Sequence, residues 1–175
     1  MFKKIVAIMS RIAMLLEIIV KYAAMSVLVV LLCVIFFQVG RRIITGKSFT
    51  EIEEFSIVMA AWLGFLTLSY ASRKKVHVRI DVFATKFPLL VQRVLNILIT
   101  AATLYASSSL MVYGWQLTQR KVQVPLAILP TNAGWWYLSF PVGMALVSFF
   151  LFEALLQEIV FTIEDGYALK NAEAK

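Results

Sequence analysis

Few side chains in these 175 residues could do chemistry, and they stand far apart. The single histidine, His77, invites a metal or a haem. A haem held between helices calls for two axial ligands, and a zinc ion for several nitrogen or sulfur ligands. There is no second histidine, and Cys33 is the one cysteine. His77 is therefore read as a histidine in a polar loop, which argues against a haem-bearing membrane anchor. Glu17 and Glu153 lie beside apolar runs, where a carboxylate can mark an ion pathway. Both fall at the ends of those runs, and no acid or base interrupts their middles. Ion-coupled carriers need such groups, or broken helices, near the bilayer midplane. The chain is thus not expected to carry transport chemistry itself. No Gly-rich phosphate loop, nucleophile motif or metal cluster occurs, so no catalytic, substrate-binding or metal-binding residue is assigned and no enzyme is expected.

What must position these residues is a set of membrane helices. The chain is 61% hydrophobic and 15% charged, with a mean hydropathy of +0.85; soluble domains average roughly 45–50% apolar and about 25% charged. The fold class is an all-α integral membrane protein: one membrane domain of four transmembrane helices, preceded by an N-terminal amphipathic interfacial helix. The net charge of +7 points to lipid headgroups and orientation rather than nucleic acid, because the basic residues cluster beside apolar runs. Cys33 sits within such a run and has no partner for an internal disulfide.

Over residues 3–20, Lys3, Lys4, Ser10, Arg11 and Glu17 fall on one side of a helical projection and Ile5, Ile8, Ile12, Leu15 and Ile19 on the other. That separation predicts a helix lying in the interface, the alternative being the frayed start of a long first span. Spans are expected over about 22–40, 55–72, 90–113 and 135–156, each long enough to cross, with a tail over 157–175. Glu53 and Glu54 stand where the second span begins, and Arg73, Lys74 and Lys75 where it ends, in the sense that suits the helix dipole. The acidic pair is either a dipole complement or an outer-face contact with a partner. Ser56, Ala60 and Gly64 recur every four residues as a stripe where another helix can approach closely, and Trp62 turns a bulky face toward lipid or a partner. Pro125, Pro130 and Asn132 mark a loop or re-entrant turn. Pro141 cannot donate to the Tyr137 carbonyl and is expected to kink the last span.

Orientation follows from Lys and Arg. With four spans the N-terminus, the 73–88 loop and the C-terminus share a side, which carries twelve of these residues against five opposite. Both termini are expected in the cytoplasm.

In sequence order, Gln38-Val39, Arg42, Glu53-Glu54, Trp62, Gly64, Arg73, His77, Asp81 and Pro88 resemble the small membrane subunit of TRAP (tripartite ATP-independent periplasmic) transporters. The stretch WWYLSFPVG, Trp135 to Gly143, resembles that family's last span, an aromatic cluster before Pro-x-Gly. Phe49 stands where the family often has tryptophan, and Lys75-Val76 where it often has glycine before the histidine. The resemblance implies a scaffold subunit in the bacterial inner membrane, paired with a large M subunit of about a dozen spans. M would hold the sodium and substrate sites, and a periplasmic binding protein P would deliver an organic acid such as a C4-dicarboxylate, a sialic acid or a 2-oxo acid. No cofactor is expected in this chain. Glu53, Glu54, Ser56, Ala60, Trp62, Gly64, Arg73, His77 and Asp81 become candidates for the partner interface. A stand-alone homo-oligomeric carrier and a membrane anchor of a respiratory or signalling complex stay open as other classes.

Overall fold

The computed structural model describes residues 2–46, 50–75, 89–126 and 132–173. His77 and Asp81, with Pro88 and Pro130, lie outside the described residues. Four helices account for nearly all the rest: α1 (Phe2–Thr45), α2 (Thr50–Lys75), α3 (Leu89–Lys121) and α4 (Gly134–Glu173). Each contains a stretch long and apolar enough to cross a membrane.

The interfacial helix and the first span expected at the N-terminus form one uninterrupted helix. At 44 residues, α1 is about 66 Å long, roughly twice the hydrocarbon thickness of about 30 Å. No glycine or proline occurs from residue 2 to 39, so its hydrogen-bond ladder continues through the charged positions. It stops at Gly46, whose positive φ of 64° is the left-handed cap that a glycine adopts without strain. The Gly46 amide donates to the Arg42 carbonyl at 3.0 Å and closes the last turn. Helix α2 begins at Thr50 with Glu51 and Glu53 in its first turn, where carboxylates complement the exposed amides.

Helix α4 is the centre of the bundle. Half of its span is buried inside the chain, against 6–11% for the other three. It packs on α3 along one side and on α2 along the other, while α1 lies mainly against α2 with a smaller contact to α4. Met144, Val147, Phe150, Leu151 and Ala154 of α4 supply most of the buried apolar side chains. The outward faces of α1 and α3, with Leu15, Phe36 and Tyr105 among them, are exposed and apolar, as suits lipid.

The Trp135–Gly143 stretch earns its composition here. The Phe140 ring meets Phe65 of α2 edge-on, centroids 5.2 Å apart, and a Cβ on Gly114 of α3 would lie 2.4 Å from it. One ring thus wedges three helices together. A Cβ on Gly143 would stand 2.6 Å from Phe65 Cβ and 3.2 Å from its carbonyl oxygen, so α2 and α4 touch backbone to backbone. Pro141 is buried in α4, and the helix continues through it. Between α3 and α4 the chain turns back through an isolated bridge of Pro125 with Asn132.

Candidate functional site

The polar side chains gather at the two ends of the bundle. At the end near residue 73, Arg73 of α2 is 8% exposed and Glu153 of α4 not at all, and the guanidinium Nη1 donates to Glu153 Oε2. Gln157 donates to the other Glu153 oxygen from one turn along α4. Arg73 also lies over the Phe150 ring, 6.0 Å from its centroid. Glu17 of α1 completes the group, with Oε2 3.6 Å from Arg73 Nε and Oε1 2.6 Å from Lys74 Nζ. Two cations and two carboxylates therefore join three helices. A charge taken out of water needs this kind of partner, because an uncompensated buried ion costs several kcal/mol, roughly 3–5 when one partner is removed.

At the opposite end Gln38 Nε2 of α1 donates to Glu53 Oε1 of α2 at 3.1 Å. Trp62 Nε1 donates to the Trp135 carbonyl at the start of α4, also at 3.1 Å. The separation from Glu53 to Arg73 is 20 residues, about 30 Å of helix, which matches the hydrocarbon core of about 30 Å. The polar groups therefore frame the apolar layer. Midway, Ser148 of α4 donates to Ser107 Oγ of α3 at 2.9 Å.

The candidate interface residues divide accordingly. Arg73 is spent inside the chain on Glu153 and Glu17, Glu53 is met by Gln38, and Trp62 ties α2 to α4 rather than standing free. Glu54 is half-buried. Ser56 turns its hydroxyl to the Ile52 carbonyl at 2.7 Å. Ala60 and Gly64 are exposed, and among the described residues nothing lies within 4 Å of a Cβ built on Gly64. The outward face of α2 thus runs through Ile57, Ala60, Gly64 and Leu68, all exposed among the described residues. On the opposite side of α2, toward α1 and α4, an open apolar groove of about 460 Å³ is lined by Val27, Phe55, Val58, Met59, Trp62 and Trp135. Among the described residues no three His, Cys, Asp or Glu side chains converge as a metal site.

Reasoning from sequence did not bring Glu17, Glu153 and Gln157 together with Arg73. The signal was present: Arg73 is the first charge after the second span, Glu153 the first charge along the fourth and near its end, and Glu17 the last acid before the first. With four antiparallel crossings those positions share one side.

The family model described as tripartite ATP-independent periplasmic transporters, DctQ component, matches residues 31–161. A curated relative, the sialic acid TRAP transporter small permease protein SiaQ of Vibrio cholerae serotype O1, is 26% identical over 113 residues. That match covers 65% of this chain and 65% of the relative's length. The matched region takes in all of α2, α3 and their contacts with α4.

Proposed function

We propose, since this chain belongs to the DctQ component family of the tripartite ATP-independent periplasmic transporters, that it is the fixed, non-transporting wall of a sodium-coupled importer of organic acids. The observation that carries this reading is the use of its polar groups. At the ends of the spans Arg73 and Lys74 pair with Glu153 and Glu17 across helices and Gln38 meets Glu53, and no acid or base interrupts the middle of any span. A sodium ion or carboxylate crossing the bilayer would find no ligand set there. Coupling ions and substrate belong in that case to a large membrane subunit of about a dozen spans, with a periplasmic binding protein supplying the substrate. Sialic acid, named for the Vibrio relative, is one substrate of the expected class. The protein sits in the inner membrane with both termini in the cytoplasm, following the excess of Lys and Arg on that side.

The partner contact is placed on the outward face of α2, where Ala60 and Gly64 leave a shallow path for a second helix. Glu53 lies near its outer end, while Arg73 at the other end of α2 is turned to Glu153 and Glu17 within the chain. The test is reconstitution. Alone in vesicles the chain gives no sodium-driven uptake of sialic acid or a dicarboxylate; with the large subunit and binding protein it does. Uptake by the chain alone at the rate of the full system would establish a stand-alone carrier instead. Gly64→Leu is expected to reduce recovery of the large subunit in a pull-down, and recovery at wild-type yield would place the contact elsewhere.

A further inference from the structure

The polar contacts between α1 and α2 have a regular spacing. Glu17 meets Lys74 and Arg73 at one end, and Gln38 meets Glu53 at the other. From Glu17 to Gln38 is 21 residues along α1, and from Glu53 to Lys74 is 21 residues along α2. The two helices are antiparallel, so the contacts are rungs of a single register, about 32 Å apart. Between them the seam of α1 is carried by Val20, Val27 and Leu31. An apolar seam in lipid has little to oppose sliding, because acyl chains solvate aliphatic side chains as well as another helix does. The α1 span is 11% buried, so knobs from α4 do little to index it.

We propose that the Glu17–Lys74/Arg73 and Gln38–Glu53 rungs set the axial register of α1 on α2, holding the first helix at a fixed height across the bilayer. Glu17 and Gln38 are positioning residues. Their side chains determine where the α1 backbone stands and do so as a pair, since either rung alone forbids a one-turn slip. The inference does not depend on the transporter reading. It also explains why the polar side of residues 3–20 holds a carboxylate among cations: Glu17 is aimed at α2, while Arg11 is exposed.

The experiment measures the distance between spin labels at Ile12 of α1 and Ile57 of α2, both exposed, in the full chain carrying Cys33→Ser and held in lipid nanodiscs. These positions lie at opposite ends of the hairpin, so the distance runs along the helix axes and reads a slide directly. A second pair at Leu117 of α3 and Phe152 of α4 reports the rest of the bundle. Glu17→Gln and Gln38→Leu singly leave the α1–α2 distance at its wild-type value. Together they displace it by about 5 Å, one helical turn, with the α3–α4 distance unchanged. An unchanged α1–α2 distance in the double variant overturns the proposal. If the double variant also moves the α3–α4 pair, the decision passes to a milder series in the Glu17→Gln background. There Q38E, which sets like charges face to face, shifts the distance, and the exchange Q38E/E53Q restores it. Failure of the exchange to restore it overturns the proposal equally.

Discussion

The two sides of α2 are held by opposite means. Against α4 the contact is close and central: Gly143 lets the Phe65 backbone approach, Phe140 fills the space between Phe65 and Gly114, and buried Ser69 lies along the same side. Against α1 the contact is loose in the middle and polar at the ends. Both solve one problem. Lipid removes the hydrophobic drive between helices, which leaves van der Waals fit and hydrogen bonds to hold them. Fit demands small residues and exact shapes, as on α4. Polar rungs demand only that partners stand at the right height, which leaves the rest of α1 free to match lipid. The Arg73–Glu153 pair belongs to both systems, and the largest effect is expected there.

Replacing Arg73 by Met removes the guanidinium that compensates the buried Glu153 carboxylate, and the expected loss is about 3–5 kcal/mol. Replacing Arg73 and Glu153 together by Met recovers most of it, because the cost lies in the unpaired charge rather than in losing the pair. Unfolding in SDS-titrated mixed micelles reads both. If Arg73→Met unfolds within about 1 kcal/mol of wild type, the pair is solvated and the ends of the bundle are less closed than the contacts indicate.

The close-packed side breaks at Gly143. A leucine there must push Phe65 away, and because backbone atoms stand at 3.2 and 3.3 Å the neighbour cannot yield by a rotamer change alone. Overpacking of this kind costs about 1–3 kcal/mol. The same titration serves as the measure, with the α2–α4 spacing expected to widen. Wild-type stability would mean that α2 and α4 slide freely past one another.

Much of this division was legible in the sequence, and the parts that were not share a cause. Long uncharged runs reported the four spans because a bilayer tolerates few interruptions. The stripe of Ala60 and Gly64 was readable because its four-residue spacing is local to one helix. Partners far apart in the chain were not readable in this way. Glu17 looked like part of an interfacial polar face because nothing nearby in sequence says that Lys74 faces it. Glu53 looked like a dipole complement or a partner contact, and Gln38 entered only through a family resemblance. Gly143 was noticed through a family resemblance, while its physical reason, Phe65, lies on another helix. Trp62 was assigned to lipid or a partner on its bulk alone, and its Nε1 finds the Trp135 carbonyl instead.

Single hydrogen bonds across helices are the next scale down. Trp62→Phe keeps the aromatic bulk and removes the donor to Trp135, and Ser148→Ala removes the bond to Ser107. Such bonds average about 0.6 kcal/mol each in membrane proteins. Each variant should therefore shift the SDS midpoint slightly. The two bonds share no residue, so the losses should add to within about 0.5 kcal/mol. Strong coupling between them would show that α4 moves as one rigid piece between α2 and α3.

The smallest effect is expected at Gly64, and it sharpens the contrast most. Gly64→Leu makes the same chemical change as Gly143→Leu on the opposite side of α2, yet among the described residues no atom lies within 4 Å of the added Cβ. A leucine there points to lipid, and a surface change away from any contact typically stays within about 0.5 kcal/mol. Stability of the isolated chain should be unaltered while Gly143→Leu is clearly weakened. A loss at Gly64 matching that at Gly143 would mean that a helix of this same chain covers the outward face of α2, and the proposed partner surface would then be part of the protein's own core.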